Sequence, residues 1–279
     1  MTGEPDLKAR QEFFELARSM TPYVATEVRG AVFVIPTSTD DRFFVRQRRK
    51  DLRILGQAVA TVREERKSSG GTFVDVGAHI GTTTVSALAH QGFDRTVSIE
   101  PDPENLRLLR ANVSLNGLDD RVTVVPAAVS DVPGTAPFAR RDPESGPAYW
   151  SKGRITDEVA PDALVVDVVT LDGLAEQDVA DPGQAGLLWL DCQKYETAAL
   201  RGARRFLEQR VPVVFALRAA ELSPDNAYFE LLAGYERFVD LRRDREAGRA
   251  GSWRPVFETL PDLFERRSGT KSLTDVLAL

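Results

Sequence analysis

The sequence predicts an α/β fold with a mostly parallel sheet covered by helices on both faces. Three observations carry this. After Gly71, short apolar runs alternate with amphipathic stretches of helical period. A glycine-rich turn joins the first of these runs, TFVDVG, to its helix, in the order strand, loop, helix. The composition, 42% hydrophobic and 28% charged, is that of a soluble globular chain, and 279 residues can bury a sizeable core without staples.

The elements follow in order. Residues 6–20 place Leu7, Phe13, Phe14, Ala17 and Met20 at near-helical spacing, and Pro22 ends that helix. AVFVIP reads as a strand, with Arg29-Gly30 as the hairpin turn before it. Residues 47–66 form a second helix with Leu52, Leu55, Val59 and Val62 on one face, and Ser68-Ser69-Gly70-Gly71 breaks the chain. Residues 1–70 are therefore expected to be an N-terminal accessory segment (helix, hairpin, helix), and residues 71–279 the main domain. There, strands TFVDVG, TVSIEP, VTVVPAAV, GLLWLD and VPVVFAL alternate with helices GTTTVSALAH, DPENLRLLRANVSLNG and YETAALRGARRFLEQR. Leu106, Leu109 and Val113 should face inward. Residues 132–170 carry no covering helix and read as an inserted hairpin with a mobile loop. A short helix near 224–233 and strands at 236–241 and 273–279 complete the chain.

Composition excludes several functions. Thirty-six basic against forty-two acidic residues leave a net charge of -6, which argues against nucleic acid as the partner. No apolar run is long enough to span a membrane, and the first residues lack a signal-peptide core. Cys192 is the sole cysteine, so a reducing, cytoplasmic setting is expected. His79 and His90 are the only histidines, which disfavours zinc and leaves few neutral-pH bases.

The glycine turn reads Asp75-Val76-Gly77-Ala78-His79-Ile80-Gly81. Gly77 permits close backbone approach to a ligand, and Gly81 permits tight entry into the helix. The spacing G-x-x-x-G departs from the dinucleotide pattern G-x-G-x-x-G, and no Walker lysine is present, so a pyrophosphate fits poorly. Glu100 ends the second strand about 20 residues on, where an acid accepts hydrogen bonds from ribose hydroxyls. Asp102 and Asn105 at the following helix start read as caps.

These stretches, VDVGAHIGTTTVSALA, VSIEPDPENLRLLRANVSLNGL and VTVVPAAVSDVPG, together with VVTLDGL, LLWLDCQKYETAALRGA and TDVLAL, resemble the FkbM family of class I S-adenosylmethionine-dependent methyltransferases. The resemblance spans about residues 45–279. It implies a Rossmann-like seven-stranded, mostly parallel sheet with a reversed last strand. It also implies S-adenosylmethionine as cofactor, with Asp75, Gly77 and Gly81 framing its methionine end and Glu100 taking the ribose. Residues Ala127 to Asp131, Ala128 among them, lie near the adenine, and Pro101 follows the ribose acid. His79 stands where family members often have Asn, implying a hydrogen bond to the ligand. Such enzymes methylate hydroxyls of sugars, polyketides and other natural products, so the implied activity is O-methyl transfer to a small-molecule or glycosyl acceptor.

For the chemistry, a sulfonium methyl needs alignment and, for a hydroxyl acceptor, a proton acceptor. The end of the fourth strand offers Asp191, Glu196 and Lys194, no metal being expected. Asp191 and Glu196 also have capping roles open to them. Lys194 stands where the family pattern D-x-E/Q-G-x-E has glycine, and Ala216 where the family often has glutamate; Glu221 does not replace it. Cys192 reads as a small buried residue and His90 as a surface or capping one. Tyr149 and Trp150 in the inserted loop read as either a lid against the substrate or a plug fastening the hairpin. Arg140-Arg141 and Arg242-Arg243 read as solvated. Alternatives are an S-adenosylmethionine-binding module with impaired catalysis and an NAD(P)-dependent oxidoreductase. The N-terminal helices offer a surface for a homodimer.

Overall fold

A computed structural model describes residues 7–38, 49–66, 70–139, 154–155, 164–218, 228–241, 254–255 and 273–279. The chain begins with α1 (Leu7–Met20), β1 (Tyr23–Val28), β2 (Ala31–Pro36) and α2 (Arg49–Arg66). β1 and β2 pair antiparallel through Arg29 and Gly30, whose φ values of 54° and 87° are those of a two-residue turn matching strand twist. The expected inner face of α2 is buried at Leu52, Leu55, Val59 and Val62. In α1 only Phe14 and Ala17 are buried, while Leu7, Phe13 and Met20 face solvent. A helix turns by about 100° per residue, so Phe13 and Phe14 cannot share one face.

From β3 (Thr72–Val76) the chain winds through α3 (Thr82–His90), β4 (Arg95–Ile99), α4 (Pro103–Leu115) and β5 (Val122–Val125), the three strands being parallel neighbours. At Pro126 it leaves this sheet, because proline has no N–H to give to a ladder. The run VTVVPAAV is therefore two strands. Its second half, β6 (Ala128–Val129), joins β7 (Gly134–Ala139), β8 (Arg154–Ile155) and β9 (Leu164–Val169) in a separate sheet of order β6-β9-β7-β8. β7 and β9 form the antiparallel pair expected of the insertion. Arg140, Arg141, Tyr149 and Trp150 lie outside the described residues, as do Glu221, Arg242 and Arg243.

A helix not anticipated from the sequence, α5 (Leu171–Glu176), follows; the Thr170 hydroxyl caps it by accepting from the Gly173 N–H at 2.9 Å. Then come β10 (Ala185–Leu190), α6 (Glu196–Arg201), α7 (Arg204–Glu208), β11 (Val213–Arg218), α8 (Tyr228–Leu231), β12 (Arg237–Asp240), β13 (Arg254–Pro255) and β14 (Leu273–Ala278). The single helix expected over 195–210 is broken at Gly202. The Asp172 N–H takes the Gly202 carbonyl at 2.8 Å, and the Asp172 carboxylate accepts from the Arg204 and Arg205 N–H groups at 2.9 and 3.0 Å, starting a new helix.

The main sheet runs β5-β4-β3-β10-β11-β14-β12, with the two-residue β13 beyond β12. β14 is antiparallel to both neighbours, giving a Rossmann-like, mostly parallel seven-stranded sheet with a reversed last strand. Alternate residues feed two cores. Phe73, Leu187, Trp189 and Val214 face the layer containing the N-terminal hairpin, α2, α3 and α4. Val74, Val76, Leu188, Leu190 and Phe215 face α5 to α8. Because the chain moves from β3 first to β4 and later to β10 on the opposite side, the carboxyl ends of these strands part into a crevice. Among the described residues no helix is long and apolar enough to cross a membrane.

Candidate functional site

That crevice is a cleft open to solvent. Gly77, Glu100, Pro101, Ala128 and Asp191 line it, together with Cys192, Gln193 and Tyr195. Its apolar wall includes Ala127, Val129, Phe138 and Ile155. Phe138 of β7 and Ile155 of β8 are opposite each other in the small sheet, so the insertion contributes directly to the cleft.

The glycine loop is built by close approach. Gly77 has φ of 82°, and a Cβ there would lie 2.3 Å from the Asp191 carbonyl oxygen, so the backbone just past β10 forbids any side chain. The Gly77 and Ala78 N–H groups donate to the Ile99 carbonyl at 2.9 and 3.0 Å. Gly81, φ 84°, faces Leu109 of α4, which a Cβ would meet at 2.5 Å; its constraint is helix packing. His79 is buried with φ of 54°, and its backbone N–H donates to Glu100 Oε2 at 2.9 Å.

Glu100 is the most organised group in the cleft. Besides the His79 bond, Oε1 accepts from the Asp102 N–H at 2.9 Å and from Asn105 Nδ2 at 3.2 Å. Burial pushes its carboxyl up to about 7, even though those three donors favour the charged form; the Asp102 carboxylate adds a smaller push upward. Asp102 caps α4 as expected, accepting from the Glu104 N–H at 2.8 Å. Asn105 does not cap the helix but turns back to hold Glu100. Burial and the Arg29 charge lower the pKa of His90, half-buried at the end of α3.

Asp75 lies off the cleft. It is one residue short of the strand end and shares the face of Phe73, so its Oδ2 accepts from the Thr83 and Thr84 hydroxyls of α3 at 2.6 and 2.7 Å. Asp131 is exposed beyond β6 and accepts from the Ser130 hydroxyl at 3.1 Å.

At the end of β10, Asp191 is half-buried, and Oδ1 accepts from Gln193 Nε2 at 3.2 Å. Gln193 and Lys194 both have positive φ, 53° and 82°, and the Tyr195 N–H closes the turn on the Cys192 carbonyl at 3.4 Å. The dihedral pair matches that of the Arg29-Gly30 turn, which explains why glycine suits position 194. Lys194 is exposed, and Glu196 is buried at the first residue of α6; neither lines the cleft. Of the three candidate catalytic side chains, the fold brings only Asp191 to the cleft wall. Ala216 follows Phe215, the partner of Leu190, so it is level with Asp191 at the same sheet edge. No group of three His, Cys, Asp or Glu that could hold a metal ion occurs among the described residues.

Sequence reasoning missed Asn105 as a partner of Glu100, and Phe138 and Ile155 as cleft wall. The i+5 spacing of Glu100 and Asn105 across a helix start carried a usable signal. The pairing of Phe138 with Ile155 across the insertion carried none.

The family model for the methyltransferase FkbM domain matches residues 75–248. No curated protein matches the chain. Among solved structures, the methyltransferase FkbM from Methylobacillus flagellatus KT is 17% identical with a TM-score of 0.40, over 76% of this chain and 44% of that one. This chain thus spans less than half the length of that relative. TYW2 of M. jannaschii, solved with AdoMet, is 11% identical with a TM-score of 0.42, over 92% and 85% of the two chains. Streptococcus pneumoniae Sp1610, described as a putative tRNA (m1A22) methyltransferase, is 11% identical with a TM-score of 0.40, over 80% and 67%.

Proposed function

The chain belongs to the FkbM methyltransferase family, and from that premise we propose an S-adenosylmethionine-dependent O-methyltransferase acting on a hydroxyl of a small-molecule natural product or glycosyl group. The cofactor is S-adenosylmethionine. The observation that carries the reading is Glu100: a buried carboxylate at the carboxyl end of β4, beside a glycine that leaves the cleft floor bare.

The donor set suits the ribose. An ionised carboxylate offers about four lone-pair positions. Three on Glu100 are taken by the His79, Asp102 and Asn105 donors, which leaves room for one hydroxyl. The Asn105 bond, at 3.2 Å, is the longest and is the one a second hydroxyl displaces. Ala127, Ala128 and Val129, with Phe138, offer the adenine an apolar face.

Bound S-adenosylmethionine supplies a methyl group already activated on a sulfonium. The protein's task is alignment and removal of the acceptor's proton. We assign the proton to Asp191, whose carboxylate is oriented by the Gln193 amide. Phe138 and Ile155 exclude water from the apolar side. The net charge of -6 favours a small acceptor over a nucleic acid.

Labelled methyl transfer from S-adenosylmethionine into hydroxylated metabolites, with an RNA arm, tests the reading. A methyl ether on a small acceptor supports it, and label in RNA alone overturns the acceptor class. Lys194 and Ala216, both departures from the family pattern, favour one rival, a binding module without turnover. Cofactor binding with no transfer to any extract component is its signature.

A further inference from the structure

On the far side of the glycine loop, Asn112 of α4 and Asn116, which caps its C-terminus, dock against the free edge of β2. Asn112 and Asn116 are one helical turn apart, a rise of about 6 Å. Two residues along a strand advance by about 6.6 Å, so successive carboxamides meet Val34 and Val32. Asn116 Oδ1 accepts from the Val32 N–H at 2.9 Å, and its Nδ2 donates to the Val32 carbonyl at 2.7 Å. Asn112 Oδ1 accepts from the Val34 N–H at 2.7 Å, and its Nδ2 donates to the Val34 carbonyl at 3.2 Å. The pair thereby satisfies the edge of β2 that β1 leaves open.

The two differ in one bond. The second amide hydrogen of Asn116 returns to the Asn112 carbonyl at 2.7 Å. That of Asn112 goes to the Ile80 carbonyl, inside the glycine loop, at 2.8 Å. Asn112 is fully buried, so no water replaces these bonds when they are lost. Ile80 follows His79, which holds a positive φ of 54° and aims its N–H at Glu100. A non-glycine residue keeps that conformation only where its surroundings fix it. The loop is thus pinned through Glu100 on one side and through Asn112 on the other.

We infer that Asn112 is a positioning residue for cofactor binding: it holds the 77–81 loop in register with Glu100 and ties that loop to the N-terminal hairpin. The inference rests on the cleft being the S-adenosylmethionine site. The full chain carrying N112A or N116A tests it, since each substitution removes three hydrogen bonds but only N112A touches the loop. N112A should weaken S-adenosylmethionine binding by about tenfold, the equivalent of one hydrogen bond. It should also speed hydrogen exchange of the residue 78–81 amides. N116A should lower the melting temperature less, because Asn116 is only half-buried, while leaving affinity and loop exchange unchanged.

Equal effects of the two substitutions on affinity and loop exchange overturn the proposal, as does an N112A affinity within twofold of wild type. Should N112A not fold, N112S is compared with N116S by the same two measurements. A wild-type protein that fails to bind S-adenosylmethionine overturns the cofactor reading. The exchange comparison needs no ligand and still decides whether Asn112 holds the loop.

Discussion

Replacing Glu100 by glutamine separates two contributions to cofactor affinity, its charge and its hydrogen bonds. In the ligand-free protein, burial raises this carboxyl to about 7. In the proposed contact, ribose hydroxyls donate to the ionised form, so binding selects it. With half-ionisation near 7, about nine-tenths of the protein is competent at pH 8 and about one-tenth at pH 6, an apparent affinity loss of about tenfold. In E100Q one oxygen becomes an NH2 facing N–H donors such as His79 or Asp102. Affinity should fall by about 10- to 100-fold through loss of charge-assisted bonds, and the glutamine has no titration to contribute. Calorimetry at pH 6, 7 and 8 reads both effects. The cofactor's own α-amino group titrates near 7.7–8.0, and the slope remaining in E100Q measures that contribution. If wild type and E100Q show the same slope between pH 6 and 8, Glu100 is not the titrating ligand. The sign also fixes a stability trend. A folded value raised from 4.5 to about 7 means the folded state holds a proton the unfolded state has lost, so this group's contribution declines as pH rises through that window, by about 3 kcal/mol in total. Denaturant titration of ligand-free wild type against E100Q across pH 4.5 to 7 measures that difference.

Other substitutions have definite expected outcomes. Lys194→Gly should stabilise the protein by about 1 kcal/mol, because φ of 82° strains any residue with a Cβ; urea unfolding checks it, and a loss of stability would mean the lysine side chain more than offsets its strain. Gly77→Ala should cost more than Gly81→Ala, although both glycines have similar positive φ. The first Cβ meets the Asp191 backbone carbonyl just past β10 at 2.3 Å, whereas the second meets the movable end of Leu109 at 2.5 Å, and thermal melts rank them. Asp191→Asn should keep S-adenosylmethionine affinity within about twofold while lowering turnover by about 100-fold or more; full turnover removes Asp191 as proton acceptor. Tyr235→Phe should cost about 1 kcal/mol through loss of the buried bond from its hydroxyl to the Val211 carbonyl at 2.6 Å, measured by denaturant titration.

The parts legible in the sequence are those written in local pattern. The five parallel strands, the strand at the end of the chain and the inward faces of α2 and α4 follow from periodicity within single segments, whereas the reversed direction of that last strand came from the resemblance to the FkbM family. Glu100 was legible because strand, glycine turn, helix and strand fix an acid's place at the sheet edge. By itself, then, the sequence determined the layers, the crevice and the acid that faces it.

Tertiary structure decided which neighbours each polar group meets. Asp75 and Glu100 are both acids near the carboxyl ends of adjacent strands, yet one lies under α3 and the other lines the cleft, because Asp75 is level with Ser98, two residues short of Glu100, and so sits below the sheet edge where α3 covers it. Position 202 has to be glycine because the Ser130 carbonyl lies 2.3 Å from where a Cβ would stand, a contact across 72 residues of chain, while Asp172 takes up the backbone groups where the helix breaks there. Asn112 looks like any polar helix residue until the fold brings Val34 and Ile80 against it. Burial then determines what such a group does, since a carboxamide or carboxylate cut off from water must take its partners from the chain around it.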